Sequence, residues 1–341
     1  MALKIAKEDL QSIEKHYNQP GRSGLSWPFV FVTPVWLQSW WEVFGSDFNL
    51  FVHSIYDDDR LIGIAPLMIV DGGKEACLIG NPDVSDYLDF ITTGKIEDEQ
   101  LFFQHLIEHL KEAGVESLVL NSQRPDSAIF RGIFNPDADD TEYNTGVEIK
   151  GVNANIIPEN QSFELKLASD WDSYLAGLKK KQRHEVRRKL RRLEDEGGSY
   201  SFRAIEQPQE IEDYYPEFVE LFKQNPEKAD FLNEQMARYF KTLVLNTAKA
   251  GLARFGLLEL EGKIVAAVLY FDYNNCIYLY NSGYNSDYHN LSVGLLSKVL
   301  AIKDNIEQGK KTFDFLKGEE VYKRRLGGTA LPIYRVNLAI S

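Results

Sequence analysis

The chain carries one pattern of strands and a helix twice, and this internal repeat restricts the folds open to it. In the first half, the apolar runs Leu50–Tyr56 and Arg60–Ile69 flank an Asp-rich turn, which predicts a β-hairpin. In the second half, Leu252–Leu260 and Lys263–Phe271 predict the same hairpin around Glu261 and Gly262. Two copies of one supersecondary unit about 200 residues apart indicate a duplicated domain.

The repeat extends beyond the hairpins. A third apolar strand leads into the similar segments NPDVSDY, from Asn81, and NSGYNSDY, from Asn281. A helix follows each of them, predicted over Glu97–Ala113 and over Leu291–Gln308, and a glycine ends each helix before the next strand. We therefore predict two tandem domains, 1–160 and 161–341, of mixed α/β (α+β) class.

Further elements precede the hairpins. Thr33 and Pro34 predict a helix start, and the aromatic side chains that follow at every fourth position are typical of a buried helix face. The second half begins with a predicted strand and two helices, and it closes with a strand over Ile333–Ile340. Its predicted order is thus β-α-α-β-β-β-α-β, with a tyrosine segment before the last strand.

Charge and composition exclude several classes of protein. The formal charge of −13 argues against a general nucleic-acid binder. Cys77 and Cys276 lie in strand-like apolar runs, which predicts a reducing compartment rather than a disulfide framework. The sequence shows neither a signal-peptide core nor an apolar run of roughly 20 residues. We expect a cytoplasmic protein, with attachment to the inner membrane face as an option.

The segment Cys276–Gly328 contains the candidate active site. A strand, a glycine-bearing loop and a helix follow one another there, so the helix N-terminus would present free backbone N–H groups to an anion such as a pyrophosphate. The next strand leads to Glu319, Glu320, Tyr322 and Lys323. Carboxylate, phenol and ammonium groups beside a phosphate site suggest acyl transfer with side chains moving the protons.

One segment departs from the acidic character of the chain. Between Lys179 and Arg192 there are nine Lys or Arg residues and one Glu, and apolar residues fall near one helical stripe, so we predict a basic amphipathic helix over 174–196. Its cationic face suits a nucleotide-linked or lipid-linked precursor, an anionic membrane surface or tRNA. A solvated surface helix is the alternative, and no specific DNA binding is expected.

Two segments carry a resemblance to a known family. The runs FDFLKGEEVYKRRLGG and KKKQRHEVRRKLRRLEDEGG resemble acetyltransferases of the GNAT superfamily, in the CelD-type branch that is similar to the tandem-domain FemABX peptidyltransferases. The match covers about Tyr174–Gly328. It implies tandem GNAT-like domains, each a mixed, mostly antiparallel twisted sheet flanked by helices, the first a degenerate copy on the acceptor side. The usual pyrophosphate signature has two close glycines, whereas this chain has only Gly294 in that loop.

The resemblance implies roles for individual residues. The donor would be acetyl-CoA or another acyl-CoA, and the residues expected to bind it are Asn281, Ser282, Gly283, Asn290, Leu291, Ser292, Val293 and Gly294. Tyr322 would offer its hydroxyl to the departing thiolate, and Lys323 would lie near the acceptor or the developing charge. Backbone N–H groups at an interruption of the Tyr280–Gly283 strand would hold the oxyanion.

Several acidic residues are candidates for work on the acceptor. Glu319 or Glu320 would be the general base, with Asp86 or Asp287 behind them. If the two copies face a shared cleft, Asp86, Tyr87 and Asp89 would line its acceptor wall, and Asp287 and Tyr288 are the matching positions of the second copy. An ordinary Asx-type turn is the alternative for this loop. His105 and His109 lack an evident third ligand, so no metal is expected.

The resulting hypothesis is an N-acyltransferase that acts on an amine of a small molecule or of a precursor for the cell envelope or a polysaccharide. One alternative is a FemABX-like peptidyltransferase with aminoacyl-tRNA as donor. Another is a non-catalytic protein that docks an anionic polymer or membrane through the basic helix.

Overall fold

The computed structural model describes residues 3–19, 24–134, 147–149 and 152–340. It divides into two compact units, Met1–Asn160 with Pro332–Ser341, and Gln161–Leu331. In the described ranges no helix is both long and apolar enough to cross a bilayer.

Unit 1 is built on a mostly antiparallel sheet. Its strands are β1 (Leu3–Glu8), β2 (Asn49–Asp57), β3 (Arg60–Val70), β4 (Glu75–Leu78), β5 (Ile91–Thr92), β6 (Ser117–Gln123), β7 (Val147–Ile149), the first part of β8 (Val152–Lys166) and most of β14 (Thr329–Ala339). The main path runs β1-β2-β3-β4-β6-β14, and only β4 and β6 pair in parallel. The predicted first hairpin is thus confirmed as β2 and β3.

Three α-helices of the described residues accompany this sheet: α1 (Leu10–Tyr17), α2 (Pro34–Phe44) and α3 (Ile96–Glu112). Pro34 is the first residue of α2 as predicted, although the Thr33 hydroxyl donates to the Val30 carbonyl oxygen instead of capping the helix. The ring of Trp36 is fully buried, as expected for a core-facing stripe.

Unit 2 repeats this arrangement. Its strands are the end of β8 together with β9 (Tyr200–Ile205), β10 (Ala253–Leu260), β11 (Lys263–Tyr273), β12 (Cys276–Tyr284) and β13 (Thr312–Lys317). The path runs β9-β10-β11-β12-β13-β8, and only β12 and β13 pair in parallel. Glu261 and Gly262, both at positive φ, form the two-residue turn of its hairpin.

The helices of unit 2 are α4 (Trp171–Gly177), α5 (Lys180–Glu196), α6 (Pro208–Lys223), α7 (Pro226–Phe231), α8 (Glu234–Lys249), α9 (Val293–Glu307) and α10 (Val321–Arg325). Helix α9 is the most deeply buried of those that bear on the site, and Leu296, Val299 and Ile302 anchor it in the core of unit 2. This packing fixes the N-terminus of α9 at the end of β12.

The last strand differs from the prediction. We expected Ile333–Ile340 to complete the second domain, but β14 pairs antiparallel with β6 of unit 1, from Tyr334 opposite Gln123 to Ala339 opposite Ser117. In unit 2, Ser162–Lys166 of β8 pairs with β13 instead. Sequence order alone could not reveal this, because both segments mix apolar and polar residues as half-buried strands do.

Candidate active site

Strands β12 and β13 separate at the centre of unit 2. Their parallel pairing runs from Cys276 opposite Thr312 to Tyr278 opposite Asp314 and stops there. On the other side of β12, Leu279 faces Tyr270 and Asn281 faces Leu269, which leaves Tyr280 as an extra residue. Tyr280 is therefore a β-bulge at the point where the sheet opens, and it disrupts the backbone ladder there.

The opening lies beside the N-terminus of α9. A 3-10 turn over Ser286–Leu291 follows β12, and Ser292 adopts a left-handed conformation with φ of 58° before the helix begins. The N–H groups of Leu295 and Leu296 both donate to the Ser292 carbonyl oxygen. Helix geometry leaves the N–H groups of Val293 and Gly294 without an intrahelical acceptor, so this end of α9 can receive an anion.

The side chains of the loop are held by the protein itself. Leu291 and Val293 are buried in the core of unit 2, so only their backbone can face a ligand. The Asn290 Oδ1 accepts from the Leu291 N–H at 3.0 Å. Asn281 and Ser282 are half-buried on β12.

Both predicted glycines are explained by close packing. A Cβ on Gly294 would lie 2.6 Å from Cδ1 of Tyr284, so this glycine makes room for an aromatic ring. A Cβ on Gly283 would lie 2.4 Å from backbone atoms of both Leu221 and Phe222 on α6. Gly283 is thus required by the close approach of α6, and the bulge that we expected near Gly283 lies at Tyr280.

The basic helix contacts the loop that precedes α9. Lys189 of α5 donates from Nζ to the Ser292 hydroxyl, and its side chain is 19% exposed. Glu185 of the same helix lies 3.5 Å from that ammonium. The segment predicted as one helix over 174–196 is split into α4 and α5, with Leu178 in an extended conformation between them.

Tyr322 and Lys298 stand together in this region. The Lys298 ammonium lies 5.3 Å from the centre of the Tyr322 ring and donates to the Gly294 carbonyl oxygen at 2.7 Å. Burial, and to a smaller extent Glu320, raises the pKa of Tyr322 above its ordinary value, so the phenol remains protonated at neutral pH. Burial also lowers the pKa of Lys298 to about 7, with a further contribution from Lys228.

Lys228 is a second lysine close to the opening. It lies on α7, donates from Nζ to the Ser282 carbonyl oxygen at 2.6 Å and sits 5.0 Å from the centre of the Phe222 ring. Burial lowers its pKa, and Glu320 acts in the opposite direction. Neither Lys298 nor Lys228 was among the site residues predicted from the sequence. Helical position alone could have marked Lys298, because it falls on the buried face of α9 among apolar residues.

Lys323 lies in α10 and is buried. Its ammonium donates to the carbonyl oxygens of Leu316 and Lys317 at the end of β13 and lies 2.9 Å from a Glu320 carboxylate oxygen. The side chain of Glu320 is 56% exposed, and Glu319 is exposed. These contacts give Lys323 a structural task that its sequence position does not suggest.

The remaining predicted residues of unit 2 lie on the 3-10 turn. Asp287 is exposed, and its N–H donates to the Asn285 side chain. Tyr288 is half-buried and packs against the core of the unit. Within the described residues, neither side chain forms a hydrogen bond or ion pair with Lys298.

The loop predicted as an acceptor wall belongs to unit 1, where two of its residues are buried. The ring of Tyr87 packs against Phe29 and under the Arg124 guanidinium, 5.0 Å away. The Asp89 carboxylate accepts from the N–H groups of Phe90 and Ala128, and burial raises its pKa to about 7. In this structure neither side chain is accessible to a substrate, in contrast to the expectation. Asp86 is half-buried.

Comparisons with known proteins place these features in context. Residues 180–324 match the model of the acetyltransferase (GNAT) domain family. That range runs from α5 to α10 and thus includes the basic helix, the opening beside α9 and Tyr322. No curated protein sequence gives a significant match.

Solved structures resemble most or all of the chain at low sequence identity. FemX has a TM-score of 0.63 at 12% identity and covers 98% of this chain and 96% of its own. A conserved protein of unknown function from Bacteroides thetaiotaomicron has a TM-score of 0.59 at 13% identity, with 100% of both chains covered. L-PGS from Bacillus licheniformis has a TM-score of 0.51 at 12% identity and covers 88% and 90%.

Proposed function

We propose that this chain, a GNAT-fold acyltransferase of the FemABX-like tandem type, transfers an acyl group from acyl-CoA to an amine. The observation that carries the proposal is the opening between β12 and β13, with the bulge at Tyr280, the free N-terminus of α9 and the phenol of Tyr322 around it. An acyl thioester needs these three groups in one place: an anion site, a backbone ladder that is open to a ligand, and a proton source.

The donor diphosphate would bind at the start of α9. The N–H groups of Val293 and Gly294 and the positive end of the helix dipole favour an anion there. Lys189 adds a cation at the same loop through its contact with Ser292. The pantetheine arm would follow the unpaired edge of β12, because amide groups of that arm can replace the missing strand partner.

The chemistry follows from the groups that surround the opening. The acceptor nitrogen attacks the carbonyl carbon, and the carbonyl oxygen gains negative charge that backbone N–H groups near the Tyr280 bulge would stabilise. The carbon–sulfur bond then breaks, and the thiolate takes a proton from the Tyr322 hydroxyl. A phenol that is still protonated at neutral pH is suited to this step.

The acceptor is a primary amine on a small molecule or on a sugar-linked, nucleotide-linked or envelope-related precursor. Asp86 lies in the predicted acceptor loop of unit 1 and is half-buried, whereas Tyr87 and Asp89 of that loop are buried.

Donor binding gives the first test. Millimolar acetyl-CoA should raise the melting temperature by several degrees, because it binds the folded protein alone. Release of free thiol would then be measured with amino acids, amino sugars and amino-sugar nucleotides as acceptors. Tyr322→Phe should lower kcat by roughly 100-fold while the melting shift by acetyl-CoA is retained. Absence of any shift with CoA or acetyl-CoA, together with absence of thiol release, would contradict the proposal.

A second candidate is an aminoacyl-tRNA donor, and the cations of α5 favour it. Lys180, Lys181, Arg187 and Arg191 are exposed, and none of them forms an ion pair within the described residues. A face of this kind attracts a polyanion, with affinity that falls steeply with salt. The resemblance to FemABX peptidyltransferases implies an aminoacyl-tRNA donor, so tRNA is the polyanion to test first.

The two donors can be separated in one set of measurements. Binding of bulk tRNA would be followed from 50 to 300 mM KCl for the wild type and for a Lys180→Gln, Lys181→Gln, Arg187→Gln variant. Transfer from labelled aminoacyl-tRNA, with loss of binding in the variant and no effect of CoA, would support the second candidate. Vesicles that contain phosphatidylglycerol provide the comparison for an anionic membrane surface.

A further inference from the structure

Lys298 is a buried lysine that forms no ion pair with a carboxylate of the described residues. It projects from α9 with 8% of its surface exposed, and in the described part of the chain no carboxylate oxygen lies within 4.0 Å of its ammonium. Its direct contacts are the Gly294 carbonyl oxygen and the face of the Tyr322 ring. Burying an unpaired charge is costly, so the neutral amine is the form that this site favours.

The charged and titratable groups that face Lys298 come from two neighbouring elements. Lys228 of α7 repels the ammonium, whereas Glu320 before α10 attracts it. Tyr322 of α10 lies against it and stays neutral. Burial and Lys228 lower the pKa of Lys298 by more than the exposed carboxylate of Glu320 raises it, which brings this pKa to about 7 and favours the neutral amine.

We infer that Lys298, rather than Glu319 or Glu320, is the general base that takes the proton from the acceptor amine. The inference rests on the proposed transfer from a thioester and adds the residue that activates the acceptor. Glu319 is exposed, and Glu320 is mostly exposed and already paired with Lys323. Lys298 is the buried group beside Tyr322, which is the residue proposed to protonate the leaving thiolate.

The proton balance of the step is as follows. The acceptor enters as an ammonium ion and gives one proton to the neutral Nζ of Lys298. Its nitrogen then forms a bond with the carbonyl carbon, and the carbon–sulfur bond breaks. The thiolate takes the Tyr322 proton, and the second proton lost by the nitrogen restores the phenol. Lys298 releases its proton to solvent, so each turnover yields one amide, one thiol and one proton.

The protonation state of Lys298 can be measured without any substrate. Protein labelled with [ε-13C]lysine would be titrated by NMR, and the Lys298 resonance would be assigned by its loss in Lys298→Arg. The resonance should titrate near neutral pH. Lys228→Met should move its midpoint upwards because a like charge is removed, and Glu320→Gln should move it downwards. A Lys298 resonance that remains that of an ammonium up to pH 9 would overturn the inference.

Kinetics test the role in catalysis. With acetyl-CoA and the best amine of the acceptor panel, Lys298→Met and Lys298→Arg should each lower kcat by roughly 100-fold or more at pH 7. Arginine keeps the charge and most of the length but cannot be deprotonated, so it separates a base from a structural cation. Lys303→Met on the same helix, where the lysine is 42% exposed and pairs with Glu307, is the matched control.

The outcomes distinguish this inference from the proposed function. If Lys298→Arg retains the wild-type rate and pH profile, Lys298 is not the base, even if acyl transfer is established. If acetyl-CoA neither binds nor reacts, the proposed function fails, and the general-base role fails with it whatever the NMR titration gives. In the wild type, the acidic limb of kcat/KM against pH should follow the midpoint found by NMR, and Lys228→Met should shift both in the same direction.

Discussion

Lys323 illustrates how burial decides the role of a charged residue. In the sequence it stands in a run of charges, and resemblance to a family suggested a place near the chemistry. In the structure it is 1% exposed, and its ammonium donates hydrogen bonds to two carbonyl oxygens at the end of β13. Leu316, which provides one of them, has a positive φ of 63°. Lys323 therefore holds an unusual backbone turn next to Tyr322.

We predict that Lys323→Ala destabilises unit 2 by about 1–3 kcal/mol, because two carbonyl oxygens lose their buried donor. Urea denaturation followed by tryptophan fluorescence would measure the change. Arg325→Ala is the control, since Arg325 is exposed on the same short helix. A Lys323→Ala variant that keeps full stability but loses transfer activity would instead favour a direct part in catalysis.

Asp89 gives a prediction about pH. Burial raises its pKa to about 7, so the folded protein binds a proton that the unfolded chain releases near its ordinary value of 3.8. The stabilisation by Asp89 is thus complete at low pH and is lost as the pH rises towards 7 and beyond. Asp89→Asn keeps an acceptor for the Phe90 and Ala128 N–H groups but cannot ionise.

The variant should therefore gain stability relative to the wild type as the pH is raised from 4 to 8, by about 2–4 kcal/mol in total. The measurement is the difference in unfolding free energy between the two proteins at each pH. Burial lowers the pKa of His53 of unit 1 to about 4, so the contribution of His53 to stability rises with pH. Both proteins contain His53, so this contribution cancels in the difference between their unfolding free energies. A flat difference curve would show that Asp89 is ionised in the folded protein throughout.

At the scale of elements, β12 has two features that shape the candidate site. Its bulge at Tyr280 opens the sheet, while Gly283 a few residues later allows α6 to approach the backbone. A methyl group at Gly283 cannot be accommodated without moving α6, because the atoms that it would meet belong to the main chain.

Gly283→Ala should therefore cost about 1–3 kcal/mol of stability and should also weaken acetyl-CoA binding, since α6 and β12 would move apart. Gly177→Ala is the control, because its Cβ would meet no atom within 4 Å. Thermal melts with and without acetyl-CoA would report both effects. An unchanged melting temperature for Gly283→Ala would contradict the close packing of α6 on β12.

The contact between α5 and the start of α9 gives a second prediction at this scale. Lys189→Met should raise the KM for acetyl-CoA by roughly 10-fold with little change in kcat, because it removes a cation from the diphosphate site but not from the reacting atoms. Lys180→Met, an exposed lysine on the same helix, should leave KM nearly unchanged. Equal effects of the two variants would indicate a general effect of charge on the surface of α5.

At the scale of the whole molecule, the last strand of the chain completes the first unit. β14 pairs with β6, and Val336, Leu338 and Ile340 are buried in the core of unit 1. Each such side chain contributes about 1.5–3 kcal/mol, so the final ten residues provide a substantial part of the stability of that unit.

Truncation after Leu331 should therefore destabilise the sheet of unit 1, whereas the hairpin of β10 and β11 in unit 2 should stay folded. Amide hydrogen exchange should become fast in β6 and remain slow in β10 and β11. Removal of Ser341 alone keeps β14 and its three buried side chains in the chain and serves as the control. Rapid exchange in β10 and β11 of the longer truncation would show that unit 2 depends on the same strand.

Periodic features were predictable from the sequence because they are local. Both hairpins, the helices around Glu97–Ala113 and Leu291–Gln308, and the helix start at Pro34 follow from hydrophobic periods and turn residues. Residues that act through their surroundings were not predictable. Gly294 was interpreted as the one glycine of an incomplete pyrophosphate-binding signature. In the structure its lack of a side chain makes room for the ring of Tyr284, ten residues earlier in the chain.

The sequence by itself determined the duplicated architecture, the strand order within each hairpin and the segment that carries the candidate site, because these depend on patterns between near neighbours. Tertiary structure alone decided that β14 completes unit 1, that Tyr87, Asp89 and Lys323 are buried, and that Lys298 lies beside Tyr322 with no carboxylate ion-pair partner among the described residues. The physical reason is that burial and charge pairing arise from contacts between residues distant in the chain, which the order of residues does not record.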